Sequence, residues 1–135
     1  MLDIMKTNVI TCLGSETVYS AACLMTKHNV GCVVICENKK PIGIVTDKDL
    51  LKKVICKNMP LGTKVQEVMN KPVITATSLD AIVKVAKIME KNNIKRVPIV
   101  DPLNGELVGI VTAKDLVGPE ADMITVLREY IEAQK

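Results

Sequence analysis

Gly43-Ile44-Val45-Thr46-Asp47-Lys48-Asp49-Leu50 returns as Gly109-Ile110-Val111-Thr112-Ala113-Lys114-Asp115-Leu116, with one residue changed. A chain that repeats an octapeptide this closely is two copies of one unit, and its fold has to build that unit twice. Within each copy, an apolar run closed by Thr and followed by a Lys-Asp pair predicts a buried strand that ends at the Thr and turns directly into a helix. Free backbone N–H groups at such a junction make it the place to look for chemistry.

The repeat extends well beyond the octapeptide. Asp3-Ile4-Met5 aligns with Glu67-Val68-Met69, and Val9-Ile10-Thr11 with Val73-Ile74-Thr75, both at an offset of 64. Each copy therefore opens with a lead-in and a short strand. Val18, Ala21, Ala22 and Met25 step along one helical face, and the same offset gives Ile82, Val85, Ala86 and Met89. Ser15 in the first copy, and Ser78 or Asp80 in the second, are expected to cap these helices. Asn29 and Asn93 come next, followed by the β-rich runs from Cys32 to Cys36 and from Arg96 to Val100. Lys39-Lys40-Pro41 and Asp101-Pro102-Leu103-Asn104-Gly105 then supply turns, so the second and third strands of each copy should pair antiparallel. The offset grows to 66 across this turn, where a hairpin loop tolerates an insertion.

The expected order per copy is strand, helix, strand, strand, helix. Residues 1–56 form the first copy, 57–64 a linker rich in breakers, 65–118 the second copy and 119–135 a C-terminal helix. Gly118-Pro119 ends the last helix of the repeat, and Met123, Val126, Leu127, Tyr130 and Ile131 share one face of the final one, which closes the core or meets a partner. In 135 residues two independent cores would each be marginal, so the copies are expected to share one. Without Phe or Trp that core is aliphatic, with Met25 and Met89 as filler.

Several function classes are disfavoured. A formal charge of +3 with scattered cations, and only Tyr19 and Tyr130 as aromatics, argue against a nucleic-acid surface. No apolar run approaches the roughly 18 residues of a membrane-spanning helix. The opening Met1-Leu2-Asp3 has no secretory character, so the five cysteines, Cys12, Cys23, Cys32, Cys36 and Cys56, are expected to be reduced, buried thiols in a cytoplasmic protein. With His28 alone and no Cys-x-x-Cys pair, no metal site is expected. His28 itself ends a helix and suits its last carbonyls. Neither a nucleophile motif nor a P-loop is present, and Asp49 and Asp115 belong to different copies, so an enzyme is not expected.

Spacing alone leaves two readings of Thr-x-x-Asp open. It is a capping box, in which Thr accepts a backbone N–H and the acid reaches back, which is the reading that spacing favours; it is also an anion site whose carboxylate can chelate the two hydroxyls of a ribose. Lys95-Arg96 is likewise either a solvated pair or a phosphate clamp.

Taken together, the lead-ins ending Ile4-Met5 and Val68-Met69, the Val-Ile-Thr strands, the Ala- and Met-bearing helices and the closing Gly-Ile-Val-Thr-x-Lys-Asp-Leu strings resemble a tandem pair of cystathionine-β-synthase (CBS) domains, from about Leu2 to Leu116. The resemblance implies an α/β chain of the α+β type: two β-α-β-β-α repeats, packed as a pseudo-two-fold pair and leaving two clefts. It implies a stand-alone regulatory module that binds AMP, ADP or ATP there, with S-adenosylmethionine sensing or a purely structural, dimerising role as alternatives. No catalytic cofactor is implied. A homodimer and a separate effector protein are the expected partners.

The resemblance also assigns residues. Asp49 and Asp115 would bind ribose, and Thr46, Thr112, Arg96 and Lys95 would face phosphate. Val9, Ile10 and Thr11, their counterparts Val73, Ile74 and Thr75, and Pro98 would lie on the adenine side. The first copy departs from the family pattern, with Cys32 in the place of Arg96 and Val34 in that of Pro98. Unequal clefts follow, the second repeat holding the tighter site.

Overall fold

The computed structural model describes residues 4–116 and 130–134. The first copy comprises β1 (Thr11–Leu13), α1 (Val18–His28), β2 (Cys32–Glu37), β3 (Lys40–Thr46) and a short α2 (Asp47–Asp49) that runs on as a π-helical segment, Leu50–Ile55. The second comprises β4 (Ala76–Thr77), α3 (Ile82–Asn92), β5 (Arg96–Val100) and β6 (Leu107–Thr112). Each copy makes one three-stranded sheet, β1-β2-β3 and β4-β5-β6, with a parallel first pair and an antiparallel hairpin, so the α+β repeat architecture stands. Residues 113–116 are turn, and the expected Gly118-Pro119 break with Met123, Val126 and Leu127 lies outside the described residues. Tyr130 and Ile131 fall in a helical stretch, 130–134.

Local sequence explains most element ends. α1 and α3 both stop at an asparagine in the left-handed region, Asn29 at φ 53° and Asn93 at φ 52°, a conformation Asn tolerates and most residues resist. The first hairpin turns on Asn38 and Lys39, both with positive φ, in the two-residue loop that suits strand twist. The second uses a longer loop with Gly105 at φ 75°, which absorbs the two extra residues.

Other boundaries differ from expectation. The first strands begin later, at Thr11 and Ala76, so Val9, Ile10 and Val73 to Thr75 precede the ladders. Ile10 still gives its carbonyl to Val34 N at 3.0 Å, but the chain meets its parallel neighbour in register only from Thr11 onward. Ser15 does not cap α1. The helix starts at Val18, and Thr17 Oγ1 accepts from Ser20 N at 3.0 Å. Neither Ser78 nor Asp80 caps α3, whose cap position is Ala81 with no side-chain bond. Asp80 instead accepts from Thr77 N at 2.8 Å and pairs with Lys84 at 3.0 Å, tying the loop before the helix. Backbone and lysine donors together hold the Asp80 carboxyl below the usual carboxylate range.

The expected single core is two. One cluster gathers Val18, Ala21, Met25, Val33, Ile35 and Val45 of the first copy; the other gathers Val85, Met89, Val97, Ile99 and Val111 of the second. Val34 and Pro98 are also fully buried, on the strand faces turned away from those clusters. Sharing takes the form of an exchange. Val65, Val68 and Met69, at the start of the second copy, complete the first cluster, whereas Ile4 and Met5 complete the second.

Glycine sets the register of that exchange. A Cβ on Gly43 would collide with the Met69 sulfur, and one on Gly109 would lie 2.7 Å from Met5 Sδ and 2.9 Å from the Lys6 carbonyl. Backbone bonds then fasten each lead-in to the other copy's sheet: Lys6 exchanges two with Ile110, each of 2.9 Å, and Asn70 exchanges two with Ile44, of 2.9 and 3.3 Å. The cysteines are free but not all buried: Cys12 is buried, Cys32 and Cys36 are half-buried, and Cys23 and Cys56 are exposed. Both exposed thiols lie on outward positions, of α1 and just after the π-helical segment, which the apolar stripe does not include.

Candidate functional site

Both Thr-x-x-Asp junctions form the reciprocal cap. Asp49 Oδ2 accepts from Thr46 N at 2.8 Å and Thr46 Oγ1 at 2.9 Å, while Asp49 N donates to Thr46 Oγ1 at 3.2 Å. Asp115 and Thr112 repeat this at 2.9, 2.9 and 3.3 Å. Each carboxylate therefore commits Oδ2 to the cap and turns Oδ1 elsewhere. Each Thr hydroxyl gives its proton to the acid, so in this state it offers a phosphate no donor.

What reaches the carboxylates from the exchanged lead-ins separates the two junctions. Asn70 Nδ2 donates to Asp49 Oδ2 at 2.7 Å, and Lys53 Nζ lies 3.9 Å from Oδ1. At the second junction Lys6 Nζ lies 3.6 Å from Asp115 Oδ1. Lys6 and Asn70 stand at the same place in the repeat, at the offset of 64. Sequence reading passed over both, although each immediately follows the lead-in methionine.

A cleft of about 360 Å³ opens between the copies beside the second junction. From the first copy, Lys6, Asn8, Val9 and Ile10, and the loop Asn29 to Cys32, form its wall; Lys95, Arg96, Ile110 and Thr112 to Lys114 complete it from the second. The structure thus brings together Arg96, Lys95, Thr112, Val9 and Ile10, with Asp115 beside them through Thr112 and Lys6. Thr11, Val73, Ile74, Thr75, Thr46 and Asp49 do not line this cleft, and Pro98 is buried within β5. Thr46 and Asp49 belong to the other junction.

Arg96 reaches across the boundary. A Cβ on Gly31 would stand 2.9 Å from Arg96 Nη2 and 3.5 Å from Asp47 Oδ2, so that glycine leaves room for the guanidinium between the two junctions. Beside it, burial raises the Cys32 thiol and the Arg96 charge partly offsets this. Lys95 Nζ also lies 5.7 Å from the centre of the Tyr130 ring, which places the 130–134 helix at the rim.

Among the described residues no group of three His, Cys, Asp or Glu could hold a metal, and no helix is long and apolar enough to cross a membrane. Cys12, buried near Glu16 and Cys36, is pushed up to about 12 chiefly by burial, and so is a neutral core thiol rather than a nucleophile.

Comparison with known proteins identifies the family and the fold. The CBS domain family matches residues 2–55 and 65–128. The CBS domain-containing protein YhcV of Bacillus subtilis is 34% identical over 114 residues, covering 84% of this chain and 80% of its own. Among solved structures, the CBS domain protein PAE2072 of Pyrobaculum aerophilum, complexed with AMP, superimposes with a TM-score of 0.80 at 25% identity, over 93% of this chain and 94% of that one. The CBS domain pair of protein MJ0100, in complex with 5′-methylthioadenosine and S-adenosyl-L-methionine, gives 0.77 at 34% identity, over 85% and 93%.

Proposed function

The chain belongs to the CBS domain family, and from that premise we propose that it is a non-catalytic, ligand-sensing regulatory module whose inter-repeat clefts bind an adenosine-containing nucleotide, AMP, ADP or ATP. The observation that carries this is the convergence of Arg96, Lys95, Thr112 and Lys6, next to Asp115, on one cleft with an apolar wall of Val9 and Ile10. Cations suit phosphate, the wall suits a base, and Asp115 Oδ1 suits ribose hydroxyls once Lys6 moves off it. The cap and the ribose site are compatible, because they use different oxygens of one carboxylate. Binding at a junction built from both copies would tie their relative position to occupancy, which is what a sensor reporting to a separate effector in the cytoplasm requires.

A thermal-shift panel with AMP, ADP, ATP, NAD and S-adenosylmethionine tests the reading, since a ligand that binds only the folded state raises its melting temperature. No shift with any of them at millimolar concentration overturns it.

S-adenosylmethionine sensing is a second reading, favoured by the ligands of the MJ0100 pair. A structural role as a homodimer is favoured by a different feature, an apolar groove of about 320 Å³ between α1 and the segment after α2, where Tyr19, Leu51, Ile55 and Leu61 are exposed. Sedimentation at tens of micromolar, where a standard interface holds together, decides it: a dimer supports this role and a monomer removes it.

A further inference from the structure

Among the described residues, the cleft beside the second junction is lined by four cations, Lys6, Lys95, Arg96 and Lys114, and by no acidic residue. Besides Lys95-Arg96, which stand where the first copy has Gly31-Cys32, the two copies differ in charge at two further places that frame the junctions. Lys6 in one corresponds to Asn70 in the other, and Ala113 corresponds to Asp47. The second junction therefore carries a cation where the first carries an amide, and a methyl where the first carries a carboxylate.

Lys6 is built to act there. Its backbone is held by the two bonds to Ile110 and by the close fit of Met5 and its own carbonyl on Gly109. Its side chain is 62% exposed, whereas that of Asp115 is 14% exposed and held by Thr112. Its only ion pair among the described residues is with Asp115 Oδ1, the oxygen the cap leaves over. Asn70 is tied on both sides: its amide group donates to Asp49 and accepts from Lys53 Nζ at 3.0 Å.

We propose that Lys6 is the specificity-determining residue of this cleft, making it select adenosine ligands that carry phosphate over those with a neutral thioether or a sulfonium at the same place. The inference rests on the adenosine reading above and sharpens it. A ribose that takes Asp115 Oδ1 displaces the Lys6 ammonium. A phosphate gives that ammonium a new anionic partner beside Arg96 and Lys95, so the exchange retains an ion pair. A thioether leaves it unpaired, and S-adenosylmethionine, whose sulfonium and ammonium outweigh its single carboxylate, brings a net positive charge to four others. The order of affinity at this cleft is phosphorylated nucleotide, then 5′-methylthioadenosine, then S-adenosylmethionine.

The test is calorimetric titration of the wild type, Lys6→Asn and Lys6→Arg with ATP, 5′-methylthioadenosine, S-adenosylmethionine and inorganic tripolyphosphate, beside melting curves of all three proteins. Lys6→Asn installs the residue of the other junction. It is expected to weaken the tight ATP event about tenfold, the scale of one lost charge-assisted bond, and to change 5′-methylthioadenosine affinity less than about threefold. Lys6→Arg keeps the preference, and tripolyphosphate binding falls in Lys6→Asn. Equal weakening of ATP and 5′-methylthioadenosine, or wild-type preference for S-adenosylmethionine over ATP, overturns the proposal. Lys6-dependent binding of tripolyphosphate with no adenosine ligand bound overturns the adenosine reading and leaves Lys6 as an anion-binding residue. No binding of any of the four overturns both.

Discussion

The two Thr-x-x-Asp junctions have the same internal geometry and different neighbours. Thr46 with Asp49 and Thr112 with Asp115 make matching sets of bonds, to within about a tenth of an ångström. Around them, Asn70 and Lys53 hold Asp49 in a neutral and cationic cradle. Among the described residues Lys6 is the cation that reaches Asp115, and a cleft with three further cations opens beside it. The cap is a local device and survives duplication wherever the octapeptide survives. The cleft is assembled from four separate stretches, so a handful of changes outside the motif suffices to make one copy unlike the other.

Breaking the carboxylates should give the largest effect. Asp115→Ala is expected to remove the tighter of two nucleotide-binding events and Asp49→Ala to affect mainly the weaker, with affinities separated by roughly one to two orders of magnitude. Titration of both variants reads this directly; equal losses, or a tight event that survives Asp115→Ala, would mean that the clefts are alike or reversed.

Next come the glycines that seat the exchanged lead-ins. Gly109→Ala meets the Lys6 carbonyl as well as the Met5 side chain, whereas the atoms nearest a Cβ at Gly43 all belong to the Met69 side chain. Backbone yields less readily than a flexible thioether, so denaturant unfolding should show Gly109→Ala costing about 1–3 kcal/mol and Gly43→Ala costing less. Gly109→Ala should also weaken nucleotide binding, since it displaces the root of Lys6. The reverse order of cost would show that the Met69 pocket is the stiffer one.

The helix caps sharpen the comparison from another side. Thr17→Ala removes a bond from α1 and should cost about 0.5–2 kcal/mol, while Ala81→Thr at the equivalent position should stabilise α3 by a similar or smaller amount. Thermal melts of the two variants and of the double change check this, and a destabilising Ala81→Thr would show that the Asp80 loop occupies the space the hydroxyl needs.

The smallest effect concerns acid. The Asp80 carboxyl sits below its ordinary value, so its contribution is present above the unfolded aspartate range and fades as pH falls through the lowered folded value. Asp80→Asn should therefore narrow the gap in melting temperature between neutral and acid pH, slightly, and an unchanged gap would remove Asp80 from the acid response. At the offset of 64 the first copy carries Glu16 in the place of Asp80. Its carboxylate accepts from Leu13 N at 2.7 Å, as Asp80 accepts from Thr77 N, so both copies tie the loop before the helix with the same kind of bond.

By itself the sequence determined what depends on near neighbours. The helical faces, the asparagine helix ends, the hairpins and both Thr-x-x-Asp caps follow from periodicity, from left-handed tolerance and from a three-residue reach, all of which a reader can measure along the chain. The family resemblance pointed to Arg96, Lys95 and Thr112, and the structure brings these three to one cleft. Tertiary structure alone decided that the lead-ins cross over, that two cores form in place of one, and that Lys6 meets Asp115 while Gly31 admits Arg96. Those contacts join residues far apart in sequence, and they are fixed by close approach of backbone to glycine and by the pairing of Lys6 with Ile110. No local pattern carries that information, since a lysine after a methionine looks the same whichever sheet it lands on.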